Sequence, residues 1–191
     1  GAMRSRTIIL SAAGALALIA LGGGAAFYSG LGRAGNGSCS AAATTAARMA
    51  PLAKGEVAAV EVRARPQPAP ELAFNGPDGQ PLTLAALKGK TLLVNLWATW
   101  CAPCLKEMPA LDTLEKEMGG ADFAVVAINI DTRNLDKPKA WLAENKVTAL
   151  PFYGDPQAAT FQALRKAHKV EGMPVSIIVD KTGCELGIIQ G

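Results

Sequence analysis

The sequence predicts an α/β domain of three layers, carried behind one membrane-spanning helix. Three observations point there. From residue 71 onward, short runs rich in Val, Ile and Leu alternate with longer stretches of helical periodicity, the pattern of strands covered by helices. The run Leu92-Leu93-Val94-Asn95-Leu96 leads through Trp97-Ala98-Thr99-Trp100 into Cys101-Ala102-Pro103-Cys104, placing two thiols where a buried strand gives way to a helix. Residues 7–32 contain no charged side chain.

The elements follow in chain order. Arg4 and Arg6 precede the uncharged stretch, which is long enough to cross a hydrocarbon core of about 30 Å. Positive charge before the stretch favours an N-terminus inside and everything after Arg33 outside, so residues 1–32 are expected to be a retained single-pass anchor. A cleaved signal peptide is the competing reading, with Ala15-Leu16-Ala17 as a cleavage-like site. Residues 33–70 are rich in Ala, with Pro51, Pro66, Pro68 and Pro70, and are expected to form a spacer with one short helix near 41–49 and an extended segment at 65–70.

Residues 71–191 are expected to form the folded domain. Asp78-Gly79 marks the turn of an opening hairpin that returns through Pro81-Leu82-Thr83-Leu84. A central strand at 91–97 precedes the dithiol helix, whose Leu105, Met108, Leu111, Leu114 and Met118 recur at helical spacing and are expected in the core. Pro109 bends that helix and Gly119-Gly120 ends it. A second buried strand follows at 123–130, then a helix capped by Asp136. Asp155-Pro156 opens another, running to about His168, which is expected to be a surface charge near the helix end. The chain ends in a hairpin, 175–180 and 185–190.

The spacing of the cysteines carries the chemistry. At the first turn of a helix, Cys101 faces unpaired N–H groups and the positive end of the dipole, both of which favour the thiolate. It is the expected nucleophile. Cys104, one turn further in and more shielded, is placed to resolve the mixed disulfide that Cys101 forms. Half of a zinc site has the same spacing, but Cys39, Cys184 and a lone His168 supply no second pair to close one, so neither metal nor cofactor is expected. Nineteen basic and sixteen acidic residues, without a basic stripe, argue against nucleic acid.

The run from Lys88 through WATWCAPC to Met108-Pro109, with the later Gly172-Met173-Pro174, resembles the thioredoxin superfamily and, within it, the membrane-anchored TlpA-type thiol-disulfide reductases. The resemblance implies a thioredoxin-like fold with an N-terminal hairpin and a central insertion. It also implies that Pro174 is a cis proline beside the dithiol. Thioredoxins carry a buried Asp six residues before the first cysteine; this chain has Asn95, which cannot exchange a proton near neutral pH. The reductase branch has a Glu where Glu107 stands, three residues after Cys104. The expectation is that Glu107, partly desolvated and raised in pKa, takes the Cys104 proton, against the alternative of a solvated carboxylate beside Lys106.

Cys39 and Cys184 lie outside any reactive motif. An even count in an oxidising compartment favours pairing, and the resemblance implies a second, structural disulfide that these two positions match. The family also implies client proteins with cysteine pairs, in cytochrome oxidase copper-site assembly or cytochrome c maturation, and a membrane electron donor of the DsbD or CcdA type. The expected location is the inner membrane with a monomeric catalytic domain in the periplasm. Ala102-Pro103 lacks the His that strong oxidants place between the cysteines, which favours a reductase over a disulfide oxidase or isomerase. A non-catalytic copper- or thiol-binding chaperone is the rival from another class. Finally, thioredoxin folds close with a helix for which no residues follow Gly191. The C-terminal helix is therefore expected to be missing, and the strand Ser176-Ile177-Ile178-Val179 to expose apolar side chains on one side.

Overall fold

In chain order the elements are helix α1 (Ser40–Met49), strands β1 (Glu61–Pro68), β2 (Ala73–Asn75), β3 (Pro81–Thr83) and β4 (Thr91–Trp97), helix α2 (Ala102–Met118), β5 (Phe123–Asn129), α3 (Lys137–Glu144), β6 (Tyr153–Gly154), α4 (Ala159–Lys166), β7 (Val175–Val179) and β8 (Cys184–Gln190). This computed structural model describes residues 39–167 and 169–191. The expected anchor at 1–32 and His168 lie outside the described residues. No helix of the described residues is long and apolar enough to cross a membrane.

The eight strands of the described residues form one mixed sheet in the order β1-β8-β7-β4-β5-β6-β2-β3. β4 sits at its centre, parallel to β5 and antiparallel to β7, and six of its seven residues alternate on the two faces as Leu92, Val94 and Leu96 against Leu93, Asn95 and Trp97. Burial on both faces explains why β4, β5 and β7 read as apolar runs rather than as alternating strands. The mixed α/β, thioredoxin-like architecture and the opening hairpin, β2–β3, agree with the sequence reading.

The segment 33–70 is the main correction. Its described part is not a spacer: α1 packs on the sheet, and β1 is an edge strand paired antiparallel with β8. Ala42 and Ala46, four apart, form a flat face that lies against Cys184 and Leu186, with Met49, Val62 and Ile178 around them. Alanine reads as featureless in composition, yet a small side chain is what lets a helix approach a sheet closely. The prolines fit because β1 is an edge strand whose register shifts between Val62 and Gln67, where Pro66 has no ladder bond to lose.

That helix also overturns the expectation of a bare strand. Val175, Ser176, Ile177 and Val179 are buried and Ile178 is half-buried in the cluster under α1. Three smaller corrections concern helices. Met118, expected in the core, is 58 % exposed in the last turn of α2. α4 begins at Ala159 rather than at Pro156, because Ala158 takes a left-handed conformation (φ 52°) and the Asp155 carboxylate reaches past it to the backbone N–H of Thr160 at 2.7 Å. Asp136 stands before α3 but makes no side-chain cap; its carbonyl accepts from Ala140 N–H.

Candidate active site

The site grows from the C-terminal end of β4. Trp97 ends the strand buried against Trp141, ring centroids 6.0 Å apart, and Ala98-Thr99-Trp100 turn the chain into α2. The turn is held by a carboxylate: Thr99 donates its backbone N–H and its hydroxyl to Asp131, at 2.9 and 2.8 Å, and Asn129 Nδ2 donates to the same carboxylate at 2.7 Å. Asp131 and Asn129 were not singled out in the sequence. The available signal was the pair Asn129-Ile130-Asp131 closing an apolar strand, where two polar side chains without a turn glycine need partners.

Cys101 is the N-cap residue of α2, with extended backbone (φ −97°, ψ 94°), and Pro103 lies in the first turn. Its Sγ accepts the backbone N–H of Cys104 at 3.4 Å, so the sulfur occupies the place where a helix N-terminus stabilises negative charge. The two cysteines form a disulfide with Cα atoms 5.3 Å apart. In this oxidised form both are largely covered, Cys101 at 5 % exposure and Cys104 at 1 %, while the neighbouring Trp100 is 64 % exposed.

The Met173–Pro174 peptide is cis. Leu96 pairs with Val175 across β4 and β7, and continuing that antiparallel register one step sets Pro174 opposite Trp97, at the end of the sheet from which the cysteines emerge. Glu107 lies one turn beyond Cys104 on α2. Burial raises its carboxyl above the ordinary 4.5, and a hydrogen bond from the Asn95 side chain pulls partly back. Asn95 in turn donates from Nδ2 to Ser176 Oγ at 3.0 Å, and its buried Oδ1 has no partner. The structure thus gathers Cys101, Cys104, Glu107 and Pro174 about one end of the sheet.

Cys39 and Cys184 are joined in a second disulfide, Cα atoms 5.8 Å apart, at a sequence separation of 145. It is not part of this site. Cys184 begins β8 at the end of the β7–β8 hairpin remote from Val175, four rungs or about 13 Å along the strand. Among the described residues, no group of three or more His, Cys, Asp or Glu side chains is placed to hold a metal ion.

Comparison with known proteins gives consistent findings. The family model described as Redoxin matches residues 64–191. The thioredoxin-like protein YneN of Bacillus subtilis is 33 % identical over 130 residues, covering 65 % of this chain and 68 % of the relative. The thiol-disulfide oxidoreductase ResA of Geobacillus thermodenitrificans is 28 % identical over 123 residues, covering 64 % of this chain and 67 % of ResA. Among solved structures, a thiol:disulfide interchange protein of the thioredoxin family from Chlorobium tepidum is 30 % identical with a TM-score of 0.55, covering 68 % of this chain and 88 % of that one.

Proposed function

The chain belongs to the Redoxin family and is a thiol-disulfide oxidoreductase of the thioredoxin superfamily, and from that premise we propose that it reduces disulfides of client proteins outside the cytoplasmic membrane. The observation that carries the reading is the position of Cys101: a sulfur at the N-cap of α2, accepting the Cys104 N–H, bonded to a partner one turn deeper.

The reaction follows from that arrangement. In the reduced enzyme, the Cys101 thiolate attacks a client disulfide, forming a mixed disulfide and releasing one client thiolate. Glu107 takes the proton from Cys104, and the resulting thiolate attacks Cys101 Sγ. The second client sulfur leaves, two electrons have passed to the client, and the enzyme is left with the Cys101–Cys104 disulfide. By the family resemblance, the Met173 backbone beside the dithiol pairs with an extended client segment.

Location and partners rest on the sequence. Arg4 and Arg6 ahead of the uncharged stretch 7–32 support a single-pass inner-membrane anchor with the catalytic domain in the periplasm. A reductase in an oxidising compartment must be recharged, which calls for a membrane electron donor of the DsbD or CcdA type. Clients of matching chemistry are the cysteines of copper sites in cytochrome oxidase assembly or haem-attachment cysteines in cytochrome c maturation. The test is the reduction potential of the Cys101/Cys104 pair, measured against glutathione or dithiothreitol, with a copper titration alongside. A potential near thioredoxin's, about −270 mV, is expected; one near DsbA's, about −120 mV, would make the protein an oxidase. Tight stoichiometric copper binding by the reduced pair would favour a chaperone.

A further inference from the structure

Asn95 occupies a position where stability and chemistry pull apart. It sits in the central strand, 1 % exposed, on the face of β4 that also carries Leu93. Ser176 is its direct partner across the β4–β7 ladder and accepts from its Nδ2 at 3.0 Å. The same side chain lies close enough to Glu107 on α2 to pull its carboxyl down against the burial that raises it. Its Oδ1, however, is buried with no donor. An unpartnered acceptor in the core is a cost that a leucine of similar volume would avoid. Such local conflicts are expected at functional sites.

We propose that Asn95 is the positioning residue for the proton transfer: its amide, oriented by Ser176, holds the Glu107 carboxylate beside Cys104, and Oδ1 is the acceptor for the carboxyl O–H once the proton has arrived. The inference rests on Glu107 acting as the base. As the Cys104 S–H bond breaks, an O–H bond forms on Glu107, the sulfur electron pair forms the bond to Cys101 Sγ, and the Cys101–client S–S bond breaks with its electron pair leaving on the client thiolate. An amide suits both states because it presents a donor to the ionised carboxylate and an acceptor to the protonated one. The carboxylate that thioredoxins carry at this position would offer the first state only repulsion. Beside Glu107 stands Asn95 from β4, and Cys104 lies one turn before it on α2. Met173 and Pro174 carry no titratable group, and Lys106, the next residue on α2, is exposed.

The experiment uses the reduced full chain and dithiobis(nitrobenzoate), whose two chromogenic thiols leave in sequence as Cys101 attacks and Cys104 resolves. The second phase is followed against pH in wild type, Asn95→Leu, Ser176→Ala and Glu107→Gln. In wild type its rate rises through the Glu107 titration. In Asn95→Leu the loss of the N–H donor to the charged carboxylate outweighs the loss of the neutral O–H acceptor and moves that rise to higher pH, with melting temperature equal or higher and the first phase unmoved. Ser176→Ala shifts it in the same direction by less, and decides the matter alone should Asn95→Leu fail to fold. If the Asn95→Leu and Ser176→Ala profiles superimpose on wild type while Glu107→Gln loses the rise, Asn95 is structural and the inference falls with the base intact. If Glu107→Gln keeps the wild-type profile, the base assignment falls and takes the inference with it.

Discussion

Asp131 receives both donors of Thr99, the backbone N–H at 2.9 Å and the hydroxyl at 2.8 Å. Thr99 lies two residues before Cys101, so this buried carboxylate ties the end of β5 to the turn that presents the nucleophile.

Asp131→Ala should loosen that turn without touching the cysteines. Three donors lose a buried acceptor, and each left unsatisfied costs about 1–3 kcal/mol, so the variant should be destabilised by about 2–4 kcal/mol after water enters. Denaturant midpoints check the stability. Alkylation of reduced Cys101 checks the consequence, with a changed rate expected because the N-cap geometry that favours the thiolate depends on this turn. Unchanged stability and rate would show the bonds to be incidental.

The Cys39–Cys184 bond closes a loop with a sequence separation of 145, for which chain entropy alone gives a stabilisation of about 5 kcal/mol as an upper figure. It also holds α1 over Leu186 and Ile178. Cys39→Ser with Cys184→Ser should therefore lower the melting temperature sharply and expose apolar surface to a hydrophobic dye. The dithiol, at the other end of the β7–β8 hairpin, should still react with dithiobis(nitrobenzoate) in two phases. A variant as stable as wild type would mean that α1 docks without its covalent tie.

Which parts of this were legible in the sequence has a physical pattern. The strands at 91–97, 123–129 and 175–179 are buried on both faces, and a continuous apolar run marks them whatever their neighbours. The placement of Cys101 was readable because capping and the CxxC spacing are local. What could not be read depends on partners far away in sequence. Ala42 and Ala46 matter only against Leu186, and Pro66 is at ease only because β1 is an edge. Asn95 could be recognised as no acid, but its unpartnered Oδ1 and its bond to Ser176, 81 residues on, belong to the β4–β7 register.

Glu107 gives stability a pH dependence whose sign can be worked out. Burial raises its carboxyl above 4.5 in the folded chain, so the folded chain holds that proton more tightly than the unfolded one. Its contribution is present in full below 4.5 and is lost as pH rises through the raised value. Glu107→Gln abolishes that loss. With both disulfides intact, so that no cysteine titrates, the stability of the variant relative to wild type should increase from acid to neutral pH. Denaturant titrations at a series of pH values measure it, and a difference independent of pH would place Glu107 in solvent.

Glu185 is 1 % exposed and is bound by Arg63 Nε at 2.6 Å and Lys169 Nζ at 2.8 Å. One carboxylate thereby joins the edge strand β1 to the segment that leads into Met173–Pro174. The two cations are partly solvated, at 31 % and 24 % side-chain exposure, whereas the anion is not. Removing the cations strands a buried charge, while neutralising the anion leaves two groups that water can reach. Arg63→Ala with Lys169→Ala should therefore cost about 3–5 kcal/mol, the scale for breaking a buried pair, and Glu185→Gln clearly less. Because glutamine keeps the shape while leaving the cations to solvent, adding Glu185→Gln to the double alanine variant should restore part of the loss. Denaturation of the four chains measures this. Equal costs for the cation and anion variants would mean that the triad acts by packing and not by charge.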